Sequence, residues 1–409
     1  MDSKVQVVVL GLGYIGLPTS AVIAGKGIKV HGVDVNETIV KTINSGKIHI
    51  VEPDLEGLVN HVVNKKLLTA HLRPTKADVF MITVPTPFKE NYQPDISYVQ
   101  AAVESIIEYL QAGNLVIIES TSPVGTTEEM AKLIFSRRPD LKGKIYMSYC
   151  PERVLPGNIL YELVHNDRIV GGLTPPAAEK AAGFYSLFVE GKIYQTNART
   201  AEMCKLVENS YRDVNIAFAN ELSIICDRFN IDVWELIKLA NCHPRVNILK
   251  PGAGVGGHCI AVDPWFIVSS APDLARLIKT ARLVNDDKPN FVVRKISESL
   301  KKNNFSSVAC FGCTYKPDTD DVRESPAIKI IQQLAKENPT KKIFLVEPYI
   351  KHLVRPLNNY QNIILKDADG ALKESPLAVF LVGHKVFKNI SAQSLKGKMV
   401  IDICGLWKQ

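Results

Sequence analysis

Between Pro251 and Trp265 the chain reads Pro-Gly-Ala-Gly-Val-Gly-Gly-His-Cys-Ile-Ala-Val-Asp-Pro-Trp, with four glycines crowded before Cys259. So much glycine beside one thiol suits a loop that lays backbone amides and a nucleophile against a ligand. A thiolate adds to an aldehyde to give a thiohemiacetal. Loss of hydride then leaves a thioester, and water releases an acid. Asp263, four residues on, suits a base or the partner of a neighbouring cation. A lone cysteine is more often a small buried apolar side chain, and it is the glycine setting that singles out Cys259.

A second glycine pattern, Gly11-x-Gly13-x-x-Gly16, follows an apolar run and opens a helical one. Glycines there let the chain turn sharply and approach a pyrophosphate at a helix N-terminus. Asp34 ends the next strand, about 20 residues on, where an acid binds ribose hydroxyls. A carboxylate at that point repels a 2′-phosphate, so NAD is favoured over NADP. Thr86 in Val84-Pro-Thr-Pro and Thr121 in Glu119-Ser-Thr-Ser-Pro stand at the carboxyl ends of further strands. Open α/β sheets bind ligands at such ends; each threonine suits contact with a cofactor or a catalytic water, or simply closes a strand.

Lys205, Asn209 and Arg212 share one helical face. Either the stripe is a solvated surface, or Lys205 and Asn209 stabilise a developing alkoxide while Arg212 meets a phosphate or carboxylate. His243-Pro-Arg245 and Arg323 offer further groups for an anion. Cys242-His243 and His258-Cys259 lack the paired spacing of a structural zinc site, and no metal is expected. Cys310-x-x-Cys313 reads as core.

These residues need elements to hold them. Val5–Leu10, Lys29–Val33, Asp78–Val84, Asn114–Glu119 and Lys144–Tyr149 read as strands, with helical segments such as Ser97–Leu110 between them. Thr126-x-x-Glu129 predicts a capping box. From residue 200 to 230 there is no Gly or Pro, and apolar residues recur at helical spacing, predicting one long helix. Asp232-x-x-Glu235 opens the next. Beyond it, strands are predicted at Val308–Gly312, Lys342–Val346, Leu377–Val382 and Met399–Ile403, with a helix after Ser325-Pro326. The class is α/β: two Rossmann-like parallel-sheet domains, 1–195 and 303–409, joined by a central long-helix segment, 196–302.

The bulk numbers fit. With 409 residues, 46% of them apolar, the chain is long enough for two or three cores. A formal charge of +7 without a basic run or interleaved aromatics points to phosphate-bearing small molecules rather than nucleic acid. Eight scattered cysteines suggest reduced thiols in the cytoplasm. Val5–Ala24 is apolar enough to suggest a signal peptide or membrane span, but its glycines, Gln6 and Pro18 fit a strand, turn and helix better. No membrane partner is expected.

Taken together, the chain resembles the UDP-glucose/GDP-mannose dehydrogenase family from end to end. The likeness is carried by Gly11-Leu-Gly-Tyr-Ile-Gly16, His49-Ile-Val-Glu-Pro-Asp54, Val84-Pro-Thr-Pro-Phe88, Ser120-Thr-Ser-Pro-Val-Gly125 and Tyr149-Cys-Pro-Glu-Arg-Val154. It continues through Thr200-Ala-Glu-Met-Cys-Lys205, Val214–Glu221, His243-Pro-Arg-Val-Asn247, the glycine loop and Arg323-Glu-Ser-Pro326. The resemblance implies an NAD domain, a helical dimerisation segment and a UDP-binding domain, assembled as a homodimer or higher homo-oligomer. It implies a double oxidation at C6 of a nucleotide sugar, with Cys259 as nucleophile and Lys205 and Asn209 at the alkoxide. Lys205 would also handle the proton, Asp263 and Glu152 would help proton transfer and hydrolysis, and Thr121 would lie near the cofactor and water.

Tyr14, Ile15, Asp34, Thr86 and Thr121 would touch NAD. Arg153, Val154, Arg212, Gly256, Tyr315 and Lys316 would line the sugar-nucleotide site. His243 and Arg245 would reach it from a second subunit, and Arg323 would approach NAD across that interface. UDP-glucose dehydrogenases usually carry Phe-Pro-Lys-Asp after the cysteine, whereas this chain has Ile260-Ala-Val-Asp263. The departure favours an N-acetylated hexosamine: UDP-N-acetyl-D-mannosamine by closest likeness, UDP-N-acetyl-D-glucosamine as the alternative. A nucleotide-sugar sensor that has kept the fold is the non-enzymatic alternative.

Overall fold

Strands covered on both faces must be apolar at consecutive positions rather than at alternate ones, and Val7, Val8, Val9 and Leu10 are all buried. The computed structural model describes residues 5–87, 89, 92–257 and 259–407, so Phe88 and His258 of the sequence motifs lie outside the described residues. The chain forms two compact units, residues 1–208 with 265–270, and residues 209–264 with 271–409.

The first unit begins β1 (Gln6–Leu10), α1 (Gly16–Gly25), β2 (Lys29–Val33), α2 (Glu37–Asn44), α3 (Leu55–Asn64), β3 (Leu68–His71), β4 (Val79–Ile82) and α4 (Ser97–Ile106). It continues β5 (Leu115–Ile118), α5 (Thr126–Arg137), β6 (Tyr146–Tyr149), α6 (Ile159–His165), β7 (Arg168–Gly172), α7 (Pro175–Tyr185) and β8 (Ile193–Asn197). The sheet order is β3-β2-β1-β4-β5-β6-β7-β8. The order reverses between β1 and β4, which makes the crevice at their carboxyl ends the natural ligand site. The sheet is not wholly parallel: β7 runs antiparallel to β6, pairing Ser148 with Gly172 and Tyr149 with Gly171. The sequence reading passed over β3, β7 and β8. Their polar or glycine-containing runs, such as Ile193-Tyr-Gln-Thr-Asn with two exposed tyrosine and glutamine positions, lack the continuous apolar signal of the central strands.

The 200–230 prediction appears as α8 (Ala198–Phe229), 32 residues and about 48 Å long. Then come α9 (Val233–Ala240), α10 (Asp263–Ser270), α11 (Arg276–Lys302), β9 (Ser307–Phe311), α12 (Pro326–Glu337), β10 (Lys342–Val346) and β11 (Ile363–Leu365). The chain ends with α13 (Ala368–Glu374), β12 (Leu377–Phe380), α14 (Ala392–Leu395) and β13 (Met399–Asp402). This second sheet is parallel throughout, in the order β11-β10-β9-β12-β13. Cys310 and Cys313 are buried, as read.

Capping shows where local rules hold and where they fail. Ser325 caps α12 by accepting from the Ile328 N–H, with Pro326 in the first turn, and Asp232 caps α9 by accepting from Trp234. The Thr126-x-x-Glu129 box is not formed. Gly125, at φ 98°, is the N-cap of α5, and the Thr126 hydroxyl donates to the Pro123 carbonyl. The cap comes from far along the chain: the Glu202 carboxylate accepts from Gly125 N–H at 2.6 Å and from Thr127 N–H and Oγ1 at 2.8 and 2.6 Å.

Candidate active site

In the first unit, the turn from β1 to α1 needs glycine at two of its three positions. A Cβ on Gly16 would lie 1.8 Å from the Gly11 carbonyl, and Gly11 itself has φ 91°. A Cβ on Gly13 would meet nothing within 4 Å, so its face is open to a ligand. The N-terminus of α1 carries no side-chain cap and no acidic residue in its first turn, leaving its amides for an anion. Asp34 fixes the same turn: its carboxylate accepts from Leu12 N–H and Asn36 N–H, each at 2.9 Å. These bonds leave the carboxylate further lone pairs and a negative charge beside the turn. Tyr14 is 45% exposed beside the turn. The turn, with the open face at Gly13 and Ile15 at the N-cap of α1, fits NAD. Thr86 and Thr121 are half-buried at the ends of β4 and β5.

Near the ends of β5 and β6, Glu152, Arg153 and Lys205, expected from the sequence, meet a buried group of Arg168, Glu119 and Tyr185 that the sequence does not mark. Glu152 is buried and pairs with the buried Arg168 guanidinium at 2.7 Å, while its other oxygen accepts from the Arg153 N–H. Tyr185 donates to the buried Glu119 at 2.5 Å. Burial, reinforced by the charge of Glu152, pushes the Glu119 carboxyl up to about 7. Burial also lifts the Cys150 thiol to about 12, which makes it an inert core group. The Lys205 ammonium donates to the Glu152 carbonyl at 2.7 Å. Arg153 pairs with Glu208 and donates to the Asp167 carbonyl. Glu52, from the His49–Asp54 motif, accepts from Gly157 N–H and Ile159 N–H at 2.8 and 2.7 Å. It thereby holds the loop that presents Arg153 and Val154. Nothing in the local sequence marks Glu52, Arg168 or Glu202 for these roles, because each partner is distant along the chain.

In the second unit, Cys259 is exposed and closes the turn into α10, where its carbonyl accepts from Val262 and Asp263 N–H at 3.0 and 2.8 Å. Asn209 donates to the buried Asp263 carboxylate at 2.5 Å. The glycines before Cys259 are demanded by close packing. A Cβ on Gly256 would come within 2.7 Å of the Glu324 carbonyl and 2.9 Å of Tyr315 Cβ, and one on Gly257 would come within 3.0 Å of the Tyr315 ring. Gly257 N–H donates to the Arg323 carbonyl at 3.2 Å. Burial, with Asp321 and then Cys259 nearby, raises the Tyr315 hydroxyl above its ordinary value. The Lys316 ammonium lies 5.6 Å from the Tyr315 ring centroid. Cys259, Gly256, Tyr315 and Lys316 therefore share one neighbourhood. Arg323 is folded back on Asp321, with a 2.6 Å ion pair.

Arg212, His243 and Arg245 are exposed, the last two in the turn after α9, and no bond joins them to the thiol loop among the described residues. No group of three metal-ligating side chains is found among the described residues. No described helix is long and apolar enough to cross a membrane.

Residues 5–189 match the NAD binding domain of the UDP-glucose/GDP-mannose dehydrogenase family, residues 199–287 its central domain and residues 309–409 its UDP binding domain. The chain is 56% identical to UDP-N-acetyl-D-mannosamine dehydrogenase of Campylobacter jejuni, across 99% of this chain and 100% of that one. It is 52% identical to NDP-N-acetyl-D-galactosaminuronic acid dehydrogenase of Ralstonia nicotianae, across 98% and 95%. Its structure is similar to that of the UDP-D-ManNAc dehydrogenase from Pyrococcus horikoshii, with TM-score 0.87 and 38% identity over 98% of this chain and 96% of that one. The chain belongs to the UDP-glucose/GDP-mannose dehydrogenase family, as an NAD-dependent oxidoreductase.

Proposed function

We propose that this protein oxidises C6 of UDP-N-acetyl-D-mannosamine from alcohol to carboxylate, through a thioester on Cys259. The observation that carries the reading is an exposed thiol on a glycine loop, packed against Tyr315 and followed by an aspartate bonded to Asn209. NAD, when bound at the β1–α1 turn, supplies the hydride acceptor for each of two oxidations. At the first, Lys205 and Asn209 stabilise the alkoxide as the hydroxyl proton leaves toward Asp263. Cys259 then adds its sulfur to the aldehyde carbon, and the thiol proton ends on the new hydroxyl. Loss of that proton and the second hydride leaves a thioester. Glu152, with Thr121 orienting the water, takes a proton from the attacking water, the C–S bond breaks, and the thiolate returns.

On this reading residues 1–195 bind the cofactor, 196–302 supply the helical dimerisation segment, and 303–409 bind the UDP moiety. Arg153, Val154, Arg212, Gly256, Tyr315 and Lys316 hold the nucleotide sugar, and His243 and Arg245 serve the site of a second subunit, whose NAD Arg323 approaches. Tyr211, Phe218 and Ile225, exposed along one face of α8, support a homodimer built on that helix. Eight free thiols support a reducing, cytoplasmic setting.

The relative at 56% identity supports mannosamine and the one at 52% supports galactosamine as a second reading; the loop sequence favours an N-acetylated hexosamine in general, and the family resemblance keeps glucosamine as the other alternative. Incubating the enzyme with NAD and each of the three UDP-N-acetylhexosamines, and comparing kcat/KM from NADH formation, separates them. Highest kcat/KM with the mannosamine sugar is the expected result; highest kcat/KM with either other sugar overturns the substrate assignment.

A further inference from the structure

The loop bearing Cys259 is gripped at both ends by one buried chain of polar side chains, none of which touches the thiol itself. At the upstream end, Gly252 N–H donates to Asn220 Oδ1 at 2.8 Å. Asn220 Nδ2 donates to Asn285 Oδ1 at 2.8 Å. Asn285 Nδ2 donates to Asp213 Oδ1 at 2.8 Å and to the Asp213 carbonyl at 3.0 Å. Asp213 pairs with the Arg282 guanidinium. At the downstream end, the same Arg282 nitrogen reaches the Ile260 carbonyl at 3.4 Å. Asp286 closes the chain on the other Arg282 nitrogen at 3.0 Å.

Asp213, Asn220, Arg282 and Asn285 are each 0 or 1% exposed, and they come from only two helices, α8 and α11. Burying an aspartate, an arginine and two asparagines between two helices is costly compared with an apolar seam. A seam that served packing alone would be leucine and valine. Here each partner is fixed by the next, and the chain reaches loop backbone at two points, Gly252 N–H through Asn220 and the Ile260 carbonyl through Arg282. The middle of the loop is held by packing on Tyr315 and by Gly257 N–H on the Arg323 carbonyl; a glycine-rich segment still needs its ends anchored, and Gly254, at φ 135°, is one of the flexible links between them.

We infer that Asn220, Asn285, Asp213 and Arg282 are positioning residues that set where Cys259 stands during thioester formation. The inference rests on Cys259 being the nucleophile. It separates the two half-reactions, because oxidation of the alcohol needs no thiol while oxidation of the aldehyde does. Misplacement of a reacting group by about 1 Å costs on the order of 100-fold in rate.

The test supplies the UDP-sugar as C6 alcohol in one assay and as C6 aldehyde in the other, with NAD, and follows NADH in single turnover. Asn220→Ala and Asn285→Ala should slow the aldehyde step on the order of 100-fold and the alcohol step by a clearly smaller factor, the part carried by Gly256 and Asp263 on the same segment. Asn220→Asp, which keeps the acceptor for Gly252 N–H, should recover part of the loss. Ser223→Ala removes a bond from Lys288 and one to the Asn220 main-chain carbonyl while leaving the Asn220 side chain on the loop, and should show no split. Hydrogen exchange of the 251–263 segment should quicken in Asn220→Ala and not in Ser223→Ala. Equal loss in both half-reactions, or no loss with unchanged exchange, overturns the inference. Cys259→Ala run alongside tests the underlying mechanism separately, and the exchange measurement reads the clamp whatever that variant does.

Discussion

Single residues carry two kinds of work here, binding and burial, and each has its own signature. Asp34 belongs to the first on the proposed function: its carboxylate braces the glycine turn through Leu12 and Asn36 and would bind the ribose of NAD. Asp34→Ala should weaken NAD binding on the order of 10- to 100-fold and narrow the preference for NAD over NADP, as titration of both cofactors would show. Unchanged affinity would remove Asp34 from the site. Glu119 shows the second kind. Its folded value of about 7 lies above the ordinary 4.5 because of burial and then the Glu152 charge, so the protonated form is favoured in the fold. The stability it contributes is complete below 4.5 and is lost as pH rises through 7. Glu119→Gln should therefore gain stability relative to wild type at pH 8 compared with pH 5, measured by urea unfolding at both. A pH-independent difference would contradict the buried-carboxyl account.

At the scale of elements, the sequence and the fold part company where the partner is distant. The alternation of apolar runs and helical spacing was enough to read β1, β2, β4, β5 and β6, the long α8 and the Ser325-Pro326 start of α12, because each depends on neighbours within a few residues. The cap of α5 was not legible. The local Thr126-x-x-Glu129 pattern competes with a carboxylate arriving from α8, and burial of Glu202 leaves that carboxylate no better partners than the helix amides. Glu202→Ala should leave three donors of the 125–127 turn without an acceptor and destabilise the protein by about 2–3 kcal/mol, read from chemical unfolding. A change below about 0.5 kcal/mol would mean that water replaces the cap. The candidate site divides in the same way. Cys259, Asp263, Asn209 and the two glycine turns announce themselves by type and spacing. Glu52, Arg168 and the Asp213–Arg282 pair look like ordinary surface charges until the fold buries them.

At the scale of the whole molecule, Cys310 lies in a strand and Cys150, Cys313 and Cys404 just beyond strand ends, the first three buried and Cys404 half-buried. Burial raises Cys150 and Cys310 to about 12, and raises Cys313 and Cys404 further with the help of Glu347 and Asp402. Neutral thiols are favoured in the fold, so their contribution is intact below pH 9 and is lost as pH rises toward 12. Lys288, lowered to about 8 chiefly by burial, acts in the opposite sense between 8 and 10.5, but it is one group against four. Unfolding free energy should fall steadily above pH 9, as urea titrations at successive pH would record; a flat profile to pH 11 would contradict the burial of these thiols.

The most direct test of the account counts NADH. Wild-type enzyme with excess NAD and a limiting amount of UDP-N-acetyl-D-mannosamine should form two NADH per sugar and a carboxylate product. Cys259→Ala should stop at one NADH per sugar and accumulate the aldehyde. Two NADH per sugar from Cys259→Ala would show that the second oxidation needs no thioester, and the role assigned to Cys259 would fall.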